Sequence, residues 1–323
     1  MPRKTLLPLL LAFVAILVAP AASNAATTNV SVGIGDQAQT IFDNSSFKAL
    51  GVKKVRYFIK WDAMKRADEV AQADQYVANA QRTGADVLMH ISTNDLGIKT
   101  AKLPSVKTYS KYVKQLIDRY KPQGVKTWGA FNEANHASQP TWNNPKRAAQ
   151  FYLELKKICK GCTIVGLDVL DQAGAERYIQ RFYAALTSSQ RSGLKIVGIH
   201  NYSDTNRNRD TGTKAILKAV KKYNSRTQFW LTETGGVAKF GKSFPCNPAS
   251  TSSVKKAETR QSKAVKFMFT LTKRFKSDIK RLYIYNFTGD DCEGRFDAGL
   301  VRRDGTHRPA YNEVKRQMKS FKR

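Results

Sequence analysis

Short runs rich in β-branched and aromatic residues alternate along the chain with longer runs whose apolar residues recur every three or four positions. Strand candidates lie at 30–34, 54–58, 86–91, 126–131, 163–167, 195–200, 228–231 and 282–286. Most are followed by a helix-length run. In 109–117, for example, Tyr109, Tyr112, Val113, Leu116 and Ile117 share one helical face. The runs 148–155 and 262–275 have the same spacing. Gly51, Gly84, Gly124 and Gly193 stand at the returns to strands, where helices commonly end. Eight β units alternating with helices predict a single (β/α)8 barrel over 26–323. A doubly wound open sheet also alternates. Its Gly-x-Gly-x-x-Gly turn is missing here, because Gly33-Ile34-Gly35-Asp36 has no third glycine in place.

The first residues break this pattern. Arg3 and Lys4 precede an apolar run over 5–20, interrupted by Pro8, and a small-residue stretch follows over 21–26. Ser23-Asn24-Ala25 fits a small-x-small cleavage site, so 1–25 is expected to be a secretory signal peptide and the product secreted, extracellular or cell-wall associated. A membrane anchor is the alternative, but the run is near the lower length limit and lacks a charged stop-transfer flank. No later segment is apolar enough to span a bilayer.

Export permits disulfides, and the chain has four cysteines. Cys159-Lys160-Gly161-Cys162 closes a helical run instead of opening one after a strand. That favours a structural bridge over a redox motif. Cys246 and Cys292 would then tie two late loops together. With four histidines, none at ligand spacing from the cysteine pair, no zinc site is expected, and no other metal or cofactor is implied.

Two glutamates close apolar strands, where a carboxylate is costly unless it faces a polar site. Glu133 ends the fourth strand in Trp128-Gly129-Ala130-Phe131-Asn132-Glu133, and Glu233 ends the seventh in Phe229-Trp230-Leu231-Thr232-Glu233. In a parallel barrel all C-terminal strand ends open on one face, and strands four and seven lie across the mouth from each other. Two facing carboxyl groups are what glycosidic bond cleavage needs: one protonates the leaving oxygen, and the other attacks the anomeric carbon or activates water. Taken singly, either glutamate could be a structural acid paired with a basic residue.

With these residues in view, the mature chain resembles the retaining glycoside hydrolases of clan A, which are TIM barrels, in their family 39-like and cellulase-like members. Asn132-Glu133 and Glu233 look like that clan's acid/base and nucleophile. Val55-Arg56 resembles its strand-two arginine, which supports the nucleophile. His200-Asn201-Tyr202 resembles its strand-six site, where the tyrosine hydrogen-bonds the nucleophile. The tail from Asp297-Ala298-Gly299-Leu300-Val301 to Arg308-Pro309-Ala310-Tyr311 is similar to its last loop and helix. The resemblance implies that Glu133 is the proton donor, Glu233 the nucleophile and Asn132 a ligand of the sugar's 2-hydroxyl. The clan often has Trp at the end of strand eight, where this chain offers Phe287. For these roles Glu133 has to hold a proton near neutrality, through burial or the charge of Glu233, while Arg56 keeps Glu233 ionised.

Tryptophans extend the picture. Trp128 and Trp230 sit within strands and, by simple alternation, face the helices, away from the glutamates. Trp61 and Trp142 follow strands two and four and are expected as sugar-stacking platforms, or else as loop anchors. His90, near the end of strand three, could reach the cleft or sit in the core. Asn-x-Ser/Thr triplets at Asn29, Asn44, Asn201 and Asn286 are taken as chance matches, since two fall where a glycan would block the cleft.

Charge comes last. The chain has 55 Lys+Arg against 25 Asp+Glu, a formal +30, with 41% hydrophobic and 10% aromatic residues, which excludes a disordered basic tail. Cleavage after Ala25 removes only Arg3 and Lys4, leaving +28. Scattered pairs such as Lys53-Lys54 and Lys221-Lys222 fit solvated faces, or attraction to an anionic polysaccharide. Nucleic acid is the less favoured polyanion, because no nucleic-acid module or basic-aromatic strip is present. The expected product is thus a secreted hydrolase of polysaccharide or oligosaccharide, a monomer. The alternatives are a carbohydrate-binding pseudoenzyme on the same barrel and a basic surface protein for anionic polymers.

Overall fold

The computed structural model describes Met1 and residues 28–93, 97, 99–241, 252–290 and 296–322. The expected signal peptide at 1–25 and the Cys246–Cys292 bridge lie outside the described residues.

All eight strand candidates form strands. They are β1 (Ser31–Gly35), β2 (Lys54–Lys60), β3 (Asp86–Ser92), β4 (Thr127–Gly129), β5 (Thr163–Leu170), β6 (Ile196–His200), β7 (Gln228–Thr234) and β8 (Ile279–Tyr285). They pair in parallel in chain order, and β8 closes onto β1 with Val32 beside Leu282 and Ile284 beside Ile34. The chain is thus a single closed (β/α)8 barrel. Among the described residues no helix is long and apolar enough to cross a membrane.

Helices form where the apolar spacing allows one face to be buried. The helix Val106–Tyr120 buries Tyr109, Val113, Leu116, Ile117 and Tyr120, and Ser105 caps its start by accepting the Thr108 N–H at 3.0 Å. The helix Pro145–Ile158 starts with proline at its first turn and an Asn144 cap on the Arg147 N–H. Immediately after it Cys159 and Cys162 are joined in a disulfide.

The core has two parts. The larger lies between strands and helices and takes in Trp128, whose indole N–H donates to the Val125 carbonyl. The smaller fills the barrel interior with Leu88, Val165, Ile196, Trp230 and Tyr283, from five different strands. Trp230 therefore points inward, where alternation had placed it outward. The cause is a register shift. Gly198 and His200 of β6 pair with Trp230 and Glu233 of β7, so three residues of β7 span the space of two. The same shift appears against β8, where Leu231 pairs with Leu282 and Thr234 with Ile284. A bulge of this kind reverses the face for everything beyond it. Trp230 and Glu233 can then both face the barrel axis.

Above the apolar layer the interior turns polar, with Arg56, His90, Asp168 and His200 all buried. Two glycines make room for them. A Cβ at Gly129 of β4 would collide with the His90 ring, and one at Gly198 of β6 with the Asp168 carboxylate. Beyond the strand ends, Lys239–Phe240 pairs antiparallel with Phe296–Asp297, joining the loops after β7 and β8.

Candidate active site

The strand ends bring Glu133 and Glu233 together with Arg56, Asn132, His200 and Tyr202. Arg56, 1% exposed on β2, aims its guanidinium at the centre. Its Nη1 donates to Glu233 Oε2 at 2.7 Å, its Nη2 to Asn132 Oδ1 at 2.5 Å and its Nε to His90 Nδ1 at 3.3 Å. Buried charge of this kind is stable only when paired. The Tyr202 hydroxyl donates to the other Glu233 oxygen at 3.0 Å. Both Glu233 oxygens are thus held, which fixes the carboxylate's orientation.

Glu133 sits on a left-handed turn, φ 42°, unusual for a residue with a side chain. Its N–H donates to Asp168 Oδ2 at 3.0 Å, and its Oε1 lies 3.0 Å from His200 Nδ1. The other His200 nitrogen faces Asp168 Oδ2 at 2.9 Å, and Nδ1 is 3.8 Å from Glu233 Oε2. One carboxylate oxygen of Glu133, one of Glu233 and a His200 nitrogen all lie within 4.8 Å of one another. That trio could hold a cation by spacing alone, but Arg56 already supplies positive charge to Glu233.

Burial opposes charge on His200, yet Asp168, Glu233 and Glu133 outweigh it and raise its pKa to about 10. Asp168 is pulled well below the carboxylate range, because the positive charge and hydrogen bond of His200, with the charge of Arg56, overcome its burial. Burial pushes His90 the other way, to about 3, so it is neutral beside Arg56. For Glu133, burial alone would raise the pKa, but the hydrogen bond and charge of His200 prevail and lower it. This reverses the sequence expectation. In the resting site the proton belongs to the Glu133–His200 pair and sits on the imidazole.

The remaining sequence candidates fall elsewhere. Trp61 is 8% exposed and meets the Tyr112 ring edge-on at 5.8 Å, with Lys65 above it. Phe287 is 1% exposed and packs on Phe47, away from the carboxylates. His90 lies beneath Arg56. Trp142 is half-buried and lines a cavity beyond the β4 and β5 loops.

Three features of the site went unread in the sequence. Asp168 stands inside the apolar run of β5, and an acid within such a run is itself a signal. Tyr285, the last residue of β8, is raised in pKa by burial and then by the charge of Glu233, which places it near the nucleophile candidate. Tyr285 and Tyr202 both approach the Phe296 ring, at 6.2 and 5.5 Å, and exposed Phe240 lies 6.3 Å from it. These rings form an aromatic wall beside Glu233.

Comparison with protein-family models gives no match, and comparison with curated proteins gives none either. Solved structures do match. A glucosidase from Croceicoccus marinus aligns at TM-score 0.64 and 15% identity over 92% of this chain and 66% of that one. A family 39 glycoside hydrolase from Bacteroides cellulosilyticus WH2 aligns at 0.60 and 14%, over 90% and 63%. A GH10 xylanase from Thermobacillus composti aligns at 0.61 and 13%, over 90% and 97%. At such identity the likeness is one of fold.

Proposed function

We propose that the protein is a secreted retaining glycoside hydrolase acting on a polysaccharide or oligosaccharide, with Glu233 as nucleophile and Glu133 as acid/base. The observation that carries this reading is the pair of carboxylates, from strands across the barrel, with oxygens within 4.8 Å of each other. Retaining enzymes hold their carboxyl groups about 5–5.5 Å apart, whereas inverting ones need about 6.5–9.5 Å to seat a water. The fold shared with several glycoside hydrolases supports it.

In the first step a Glu233 oxygen attacks the anomeric carbon, and the bond to the leaving oxygen breaks. Arg56 and Tyr202 hold Glu233 aimed until then. The proton on His200 passes across the 3.0 Å contact to Glu133 and from Glu133 to the leaving oxygen, which leaves the imidazole neutral and Glu133 ready to act as base. Esterification of Glu233 removes one of the anions that hold the proton on His200, so its release becomes easier as the bond forms. In the second step Glu133 accepts a proton from water, the water oxygen attacks the anomeric carbon, and Glu233 leaves as a carboxylate. The proton returns to the Glu133–His200 pair. The aromatic wall of Tyr202, Tyr285, Phe296 and Phe240 offers flat surfaces for sugar rings.

Digestion of a panel of neutral and acidic glycans, read by mass spectrometry, tests the assignment. Proton NMR of the first product formed gives the stereochemistry. Turnover with retention is expected. Inversion, or no turnover of any glycan, refutes the reading, the second outcome favouring a carbohydrate-binding pseudoenzyme.

A further inference from the structure

Past the ends of β4 and β5 lies a cavity of about 380 Å³, in the size range of small-ligand sites. Asn135, two residues past Glu133, forms part of its wall. The Asn135 side chain exchanges hydrogen bonds with the Leu170 backbone at 3.0 and 2.8 Å, and Gln172 Nε2 donates to the Asn135 carbonyl at 2.7 Å. The loop carrying Glu133 is thereby clamped to the loop after β5, and the cavity is preformed. It adjoins the proton donor's side of the site, which on the reading above is where the leaving portion of a substrate sits.

Its lining combines an aromatic face with cations. Trp142 supplies the indole, and the Lys99 ammonium lies 5.3 Å over that ring. Arg177 and Arg181 line the same space from the helix Ala175–Ala184. Four positions apart, they are neighbours on one helical face. Some arginines find carboxylates, as Arg66 does with Asp62, Arg119 with Asp74, Arg302 with Glu258 and Arg308 with Asp297, while others, such as Arg147 and Arg191, bond to neutral acceptors. Arg177 and Arg181 have no such ion pair among the described residues, and no Asp or Glu lines the cavity. Glu176, next in sequence, is outside the lining.

We infer that this cavity is a binding subsite for a sugar residue bearing a carboxylate or sulfate group. Guanidinium groups recognise such oxyanions through paired N–H···O bonds, and the indole face accepts the C–H face of the ring. The inference rests on the hydrolase reading for the direction of the substrate, and it gives part of the +28 a local purpose.

Calorimetric titration of the Glu233→Gln protein tests it. The probes are tetragalacturonate, tetramannuronate and a sulfated galactan tetrasaccharide, set against cellotetraose and xylotetraose, at about 20 and about 300 mM NaCl. At least one anionic probe is expected to bind about tenfold or more tighter than the neutral ones, with the advantage shrinking in salt. Arg177→Gln/Arg181→Gln should remove that advantage and leave neutral binding unchanged. Lys218→Gln/Lys222→Gln, an equal loss of exposed charge at the C-terminal end of another helix, should keep it. Both arginines are exposed, so the double variant is expected to fold, and circular dichroism checks this. Equal or absent binding of all anionic probes, or equal losses in the two double variants, overturns the inference. The glycan panel separates the two claims. Turnover by the wild type without anionic preference sinks only the subsite. Anionic preference without turnover of any glycan sinks the hydrolase reading and leaves a binding pocket.

Discussion

Replacing Asp168 by Asn isolates the charge that holds the proton on His200. The substitution keeps the volume of a fully buried side chain; the Asn Oδ1 can still accept from the Glu133 N–H, and its amide nitrogen can donate to the Thr232 hydroxyl. What is lost is a negative charge 2.9 Å from His200 Nε2. At an effective dielectric of about 20 that charge is worth roughly 6 kcal/mol of attraction, more than enough to bring His200 below neutrality. In the wild type the His200 pKa is raised from 6.5 to about 10. The associated stability is fully present below pH 6.5 and is lost as the pH rises through 10. It amounts to a few kcal/mol, roughly 5 at most. Denaturant melts between pH 6.5 and 10 should therefore show stability falling in the wild type and nearly flat in Asp168→Asn. Nitrogen NMR of the imidazole should show His200 as an imidazolium at pH 8 in the wild type and neutral in the variant. The alkaline limb of kcat/KM should move down by more than about one pH unit, because Glu133 then draws on a neutral imidazole. A wild-type His200 that titrates near 6.5, or an unchanged titration in the variant, refutes the reasoning.

The other expectations concern residues around this pair. Glu133→Gln and Glu233→Gln should each lower kcat by about a thousandfold or more while melting within a few degrees of the wild type; near-normal hydrolysis by either would refute the assignment. Arg56→Met leaves the Glu233 carboxylate buried without its 2.7 Å partner and should destabilise by about 3–5 kcal/mol in urea unfolding. Asp36 is buried and accepts the backbone N–H groups of Ala38, Phe287 and Thr288, so Asp36→Ala orphans three donors and should cost about 3 kcal/mol or more in the same assay. The Cys159–Cys162 bridge closes a very short loop, so the double Ser variant should lose no more than about 2 kcal/mol.

The barrel was legible because parallel strands read as short apolar runs with amphipathic helices between them. The charged residues at strand ends were legible for a related reason: an acid closing an apolar strand stands out. Asp168 was not, because the expected strand 163–167 stopped just before it. Only the folded β5, which continues to Leu170, shows the acid inside the barrel. Trp61 and Phe287 depended on side-chain direction just past a strand end, where alternation no longer holds. Trp230 depended on a bulge that leaves no compositional trace.

That bulge in β7 has a consequence for engineering. The direction of Glu233 is set by how many residues precede it in the strand, not by what those residues are. Alanine scanning of β7 would pass over this dependence, since every substitution preserves the count. Deleting one residue between Trp230 and Glu233 would heal the bulge and, by plain alternation, still leave Trp230 and the carboxylate on one face. The extra residue acts through spacing, which no change of spelling reveals.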